Sequence, residues 1–398
     1  MNLFFNKLLS NIPVTPLPML SKSGYSYSTA LQGPDKDTFQ KTKAPSEICF
    51  TGRRGNGSTK KGDVLKELDN ITCPYSGIKM IPSKNMDRIE ARLAKCANIH
   101  ERMNVLEVYR PCMQNLEKEV FQVLKGYEIN NPNGSINECL QVLKPECLTE
   151  LRLDQFKVLD DVDKISNKLD SKTAYKIRKA TTDARTKIIE DKQDQIFKRK
   201  DLLANIHDIT KDHPRQDVVA EMWATANNLP KSTNDFNAFV VKYANRTPQE
   251  IAARLLRPSV ASIEHIRPAN PNSSKIEAGA NDLSNFMLAS RDWNSGRGNT
   301  PLPQFIKEHP NVPKYTQRYI NDIIKAIHKG LLEDCDWYPY VIKERLYNES
   351  DGMIDLNLEN YKKTKEEAFK HVPDDILETY NELAEKNSVI REMNLSHA

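Results

Sequence analysis

Ser259-Val260-Ala261-Ser262-Ile263-Glu264-His265-Ile266-Arg267-Pro268 opens the stretch that decides how this chain is read, and Asn285-Phe286-Met287-Leu288-Ala289-Ser290-Arg291-Asp292-Trp293-Asn294-Ser295-Gly296-Arg297-Gly298-Asn299 closes it. Two short apolar runs, Val260–Ile266 and Phe286–Ala289, flank a loop rich in Asn, Ser and Gly, which predicts a β-hairpin with a long loop. Ser290 or Asp292 can then start a short helix that carries Asn294 on its first turns.

Outward from residues 259–300 the texture is helical. Fourteen glycines and 7% aromatics among 398 residues argue against a strand-dominated fold. Apolar residues recur at four-three-four spacing in Val158, Val162, Ile165 and Leu169, and again in Ala174, Ile177, Thr181, Ala184 and Ile188, the signature of a packed helical hairpin. Thr247-Pro248-Gln249-Glu250 reads as a helix start, with a threonine cap, a proline at the first helical position and Glu250 closing a capping box. The expected fold is mainly α. Residues 1–62 read as a flexible leader with a basic run from Arg53 to Lys61, 91–254 as a helical region and 303–398 as an acidic helical C-terminal region.

Charge is uneven. Net charge is +4 over the chain, but Leu332–Ala398 holds 8 Lys/Arg against 16 Asp/Glu. Between Lys172 and Lys200 there are 10 Lys/Arg and 4 Asp/Glu. Lys176, Arg178, Lys179, Arg185 and Lys187 can line a face toward a phosphate backbone, or form a solvated helix with internal ion pairs. The seven cysteines are scattered and form no C-x-x-C, so neither a zinc knuckle nor a redox motif is expected. No stretch is long and apolar enough to span a bilayer, and Met1–Leu20 is a poor secretory signal. The expected location is cytoplasmic, or a target cell reached without a cleavable signal peptide.

Glu264-His265-Ile266-Arg267-Pro268, the turn Gly279-Ala280-Asn281-Asp282, Asn285, and Asn294 followed by Gly296-Arg297-Gly298 occur in the order found in HNH nucleases, and the segment resembles that family. The likeness covers about a ninth of the chain. It departs from the commoner pattern in three ways. The acid is Glu264 where Asp is usual. The last ligand position is Asn294 and not His, as in RNA-guided nucleases. The Cys-x-aromatic-Ser/Thr-Gly element that often stands a little upstream is matched only by Cys73-Pro74-Tyr75-Ser76-Gly77. If that element belongs, residues 63–90 are the first part of the module, 255–302 its ββα core, and the helical region between them an insertion.

The resemblance implies a ββα-metal site. His265 is the expected base, since an imidazole titrating near neutrality can take a proton from water. Glu264 and Asn294 are the expected ligands of Mg²⁺ or another divalent cation such as Mn²⁺, with no structural zinc. Asn285 is expected to brace the hairpin or orient the histidine. Arg297, with Arg267 and Arg291, is expected to hold phosphates. Neighbouring residues of a strand face opposite ways, so Glu264 and His265 can serve one centre only if the strand distorts or the helix wraps round it. The implied activity is hydrolysis of DNA phosphodiesters, double-stranded DNA favoured, by a toxin, a secreted effector or a mobile-element nuclease, with an immunity protein or secretion chaperone as further partners. The alternatives are an idle HNH-derived scaffold and a helical interaction protein with a fortuitous motif. Taken singly, His265 reads as a hydrogen-bonded strand histidine, Asn285 and Asn294 as turn or cap residues, and Trp293 as core packing.

Overall fold

The computed structural model describes residues 65, 68–191, 197, 199–268, 278–332 and 334–396. The leader read over 1–62 and the loop 269–277 lie outside the described residues. The described residues divide into two compact units, one built from residues 90–255 and the other from those before 90 and from 256 onward. Helix α1, Ser83–Lys95, carries the chain out of the second unit, and the chain re-enters it at Leu256.

The regular structure among the described residues of the 90–255 unit is helical: α2 (Ile99–Tyr109), α3 (Asn115–Asn130), α4 (Ile136–Ser166), α5 (Ser171–Glu190), α6 (Arg199–Thr210), α7 (Gln216–Ala226), α8 (Phe236–Tyr243) and α9 (Pro248–Arg254). The expected hairpin of helices is α4 and α5. Asp170 caps α5 by accepting from the backbone N–H groups of Lys172 and Thr173, both at 3.0 Å. Ala174, Ile177, Thr181, Ala184 and Ile188 are buried with Leu159 and Val162 of α4, and α6 and α7 close the same core through Leu202, Ile206, Val218 and Met222. Each fully buried aliphatic side chain contributes about 1.5–3 kcal/mol, so this stripe fixes which face of α5 turns outward. The capping box at Thr247 forms as expected, with Glu250 N–H donating to Thr247 Oγ1 and Thr247 N–H to Glu250 Oε2.

The second unit holds the only strands longer than a single bridge among the described residues. β1 (Ala261–His265) and β2 (Phe286–Ser290) pair antiparallel, with Glu264 opposite Met287 and His265 opposite Phe286. Helix α10 (Arg291–Arg297) follows β2 directly, and α11 (Leu302–Glu308), α12 (Val312–His328), α13 (Tyr338–Glu349), α14 (Lys365–Phe369) and α15 (Asp374–Ser396) complete the unit. Phe286–Ser290 is buried at every position, which is why its sequence runs apolar where a half-exposed strand would alternate. The C-terminal helices share this core: Ile342, Leu346, Ile376 and Tyr380 cluster with Phe286, Met287 and Leu288.

A two-stranded sheet leaves edge groups that must find partners once buried. On β2, Leu288 N–H donates to the Tyr319 hydroxyl (3.1 Å), and the Tyr338 hydroxyl donates to Phe286 C=O (2.8 Å). Beside the start of β1 lies the segment Thr72–Ile81. It folds back on itself through Cys73 N–H to Ile78 C=O and Met80 N–H to Ile71 C=O, then joins β1 through Ile81 N–H to Ser259 C=O and Ala261 N–H to Ile81 C=O. Gly77 turns this small hairpin at φ +66°, and a Cβ there would collide with the Tyr315 ring of α12.

Candidate functional site

Of the side chains singled out by the sequence, Glu264, Asn294 and Arg297 converge where β1, α10 and the Cys73–Gly77 turn meet. Asn294 and Arg297 lie one turn apart on α10, on the face that meets β1. Asn294 Nδ2 donates to Ile263 C=O (2.7 Å) and Ser262 Oγ (3.0 Å). Arg297 Nη1 donates to His265 C=O (2.9 Å) and Nη2 to Ile266 C=O (2.7 Å). The helix therefore grips the strand by its carbonyl oxygens, and the strand needs no distortion to present Glu264 to it. Ser262 and Glu264 share one face of β1, and both meet side chains of α10.

Glu264 is 3% exposed. Its Oε1 forms an ion pair with Arg297 Nη1 and accepts from the Tyr75 hydroxyl (2.9 Å), which in turn accepts from Arg297 Nη1 (3.1 Å). Burial pushes the Glu264 carboxyl up, and the Arg297 guanidinium followed by the Tyr75 hydroxyl pulls it part of the way back. Burial opposes the charge on Arg297, but Tyr75 and Glu264 outweigh it and raise its pKa, so the guanidinium stays protonated.

Arg297 does not fit the phosphate-holding role expected of it. Its side chain is fully buried and engaged with one carboxylate, one phenol and two carbonyls, leaving no face for a ligand. Arg267 is also engaged, with its guanidinium on Glu349 of α13 at 2.7–2.8 Å. Of the three arginines, Arg291 is the exposed one, and no side-chain ion pair of Arg291 occurs among the described residues. Arg185, read as part of a phosphate-facing row, is clamped by Asp160 and Asp163 of α4, each at 2.7 Å.

His265 lies on the other face of β1, its ring edge-on to Phe286 at 4.8 Å between centroids. Nε2 is 3.1 Å from Asn281 Oδ1. An amide oxygen only accepts, so Nε2 carries the proton and Nδ1 keeps the lone pair. Burial lowers the His265 pKa below the ordinary histidine value, which favours the neutral ring at pH 7. Asn285, fully buried, ties the loop to the strand: Oδ1 accepts from Arg267 N–H (2.8 Å), and Nδ2 donates to Arg267 C=O (3.0 Å) and Ala280 C=O (2.8 Å). It braces the hairpin that carries Asn281 and does not itself bond to the imidazole. Gly279 is required beside it, because a Cβ there would collide with Arg267 C=O and the Asn285 amide. Trp293 is half-buried against Phe305 and His309, as core packing requires.

Tyr75, Asn281 and Ser262 belong to this constellation and were not named as site residues from sequence. Tyr75 lay within the upstream Cys-Pro-Tyr-Ser-Gly element and Asn281 within the Gly-Ala-Asn-Asp turn, so position could have flagged both. Cys73 of that element accepts from Ser290 N–H and Oγ (both 3.4 Å), just where α10 begins.

No group of three or more His, Cys, Asp or Glu suited to a metal occurs among the described residues. The donor chemistry of the Glu264–Asn294 pair is a separate matter. Among the described residues, Glu264 Oε2 and Asn294 Oδ1 accept no hydrogen bond, while their sister atoms are all engaged. One carboxylate and one amide oxygen are hard donors of the kind Mg²⁺ takes beside water and phosphate oxygens. Comparison with protein-family models, with curated proteins and with solved structures returned no match.

Proposed function

We propose that the chain is an HNH-type endonuclease that hydrolyses DNA phosphodiesters with the help of a divalent cation. The observation that carries this reading is the setting of His265. Its Nε2 lies 3.1 Å from Asn281 Oδ1 and its ring rests on Phe286, an arrangement that leaves the lone pair on Nδ1, on the face of β1 opposite Glu264. In the proposed reaction Nδ1 takes a proton from water as the water oxygen bonds to phosphorus. The P–O bond to the leaving oxygen breaks, and that oxygen takes up a proton from solvent. Glu264 and Asn294 would hold Mg²⁺ or Mn²⁺, whose chemistry there would be to neutralise charge on the phosphate and leaving oxygens. Arg297 and Tyr75 fix the Glu264 carboxylate, Asn285 fixes the loop that bears Asn281, and Arg291 is the arginine left to meet a phosphate.

The scaffold alternative has one observation in its favour, since Arg297 already neutralises Glu264 inside the fold. Plasmid nicking separates the two readings. The nuclease nicks with Mg²⁺, stops with EDTA, and loses at least about 100-fold in His265→Ala, the usual scale for removing a general base. Undiminished nicking by folded His265→Ala rejects the base, and no nicking by the unaltered protein with either cation favours the scaffold.

A further inference from the structure

The surface of the 90–255 unit points to a contact with nucleic acid of its own. The buried stripe of α5 fixes the opposite face as solvent-facing. Lys172, Tyr175, Lys176 and Lys179 lie exposed on it, and Arg178 lies exposed at its edge. From Ser171 to Thr182 there is no acidic residue. None of these four cations makes an ion pair among the described residues, in contrast to Arg185 on the same helix. The nearest carboxylates do not fill the patch. Asp170 is turned to the backbone N–H groups of the first turn and to His213, whereas Asp183 and Asp208 sit at the margin, where Lys176 and Lys179 border a shallow hollow with Asn205.

We propose that this face of α5 is a docking surface for the phosphate backbone of duplex DNA. Lys172 to Lys179 spans about 10 Å of helix axis at 1.5 Å per residue. One strand of a duplex presents a phosphate about every 3.4 Å of its axis, so roughly three phosphates face Lys172, Lys176 and Lys179, with Arg178 at the edge of the row. The exposed Tyr175 adds a hydroxyl that can bond to a phosphate oxygen. An anionic membrane is the poorer fit, because a helix that lies in a bilayer surface inserts an apolar face, and the apolar face of α5 is buried in the protein core. The choice of a polynucleotide among polyanions rests on the nuclease reading.

The test uses the full chain bearing His265→Ala to prevent cleavage. Binding to a fluorescein-labelled mixed-sequence duplex is followed by anisotropy across about 50 to 200 mM KCl. The comparison protein adds Lys172→Gln, Lys176→Gln, Arg178→Gln and Lys179→Gln, with helicity checked by circular dichroism. If the three phosphates are neutralised by this face, the slope of log K against log salt flattens by about 2.7, and affinity at the low-salt end falls at least about tenfold. A slope change under about one unit overturns the proposal, as does absence of duplex binding by the parent. Binding of phosphatidylserine vesicles in place of the duplex, lost in the fourfold variant, also overturns it and assigns the face to a membrane. Nicking that depends on His265, together with an unchanged slope, sinks the docking surface and spares the nuclease reading. A flattened slope in a protein that never nicks does the reverse.

Discussion

Replacing Arg297 by methionine removes a guanidinium of similar bulk and leaves the Glu264 carboxylate buried without its counter-charge. Breaking a buried ion pair by removing one partner costs about 3–5 kcal/mol. Part of that is offset, because Arg297 Nε is itself a buried donor without a partner, a penalty of about 1–3 kcal/mol that disappears with the side chain. The expected loss at neutral pH is therefore about 2 kcal/mol. The pH dependence has a definite sign. Burial already raises the Glu264 carboxyl and Arg297 lowers it, so in the variant the folded-state value rises further above the unfolded one. A carboxyl raised in this way contributes stability that is fully present below the unfolded value, about 4.3, and is lost as pH rises through the folded value. The deficit of Arg297→Met should thus be small near that acidic limit and full at neutrality. Urea unfolding monitored by tryptophan fluorescence in a Trp223→Phe background isolates the second unit, since Trp293 and Trp337 both belong to it. Adding Glu264→Gln to Arg297→Met should recover at least half of the loss. A variant within about 0.5 kcal/mol of the parent, or a deficit that grows toward acid, refutes the account of this pair.

Asn285→Ala should destabilise the second unit by about 3 kcal/mol, because it removes three hydrogen bonds, to Arg267 N–H and to the carbonyl oxygens of Arg267 and Ala280, each contributing about 1 kcal/mol; the same fluorescence measurement reads it, and a loss below about 1 kcal/mol speaks against the bracing role. Gly279→Ala should cost about 1–3 kcal/mol through overpacking against Arg267 and Asn285, and a neutral result in the same unfolding assay would mean that the turn relaxes freely. For the proposed cleavage, the acid limb of the kcat/KM profile should fall below the ordinary histidine value of 6.5, since burial lowers the His265 pKa. Asn281→Asp places a carboxylate on Nε2, raises that pKa and should move the limb to higher pH; a limb that stays put or moves down would remove His265 as the titrating group.

The hairpin, the helix after it and the α4–α5 pair were legible from sequence because each is written in local periodicity and caps. Apolar runs either side of a polar loop specify two strands, and a four-three-four stripe specifies a buried helical face, whatever lies elsewhere in the chain. The bracing by Asn285 was likewise within reach, since its partners lie in the same hairpin. The duty of each arginine was not. Arg267, Arg291 and Arg297 look alike in a sequence, as cations near a site. Only packing buries Arg297 beneath Glu264 and Tyr75, ties Arg267 to Glu349 and leaves Arg291 in solvent. Those partners come from segments far apart in the chain, and burial determines whether a charge acts as an internal counter-ion or meets a ligand. Local pattern sets the elements; the surroundings that tertiary structure builds around each ionised group set its role.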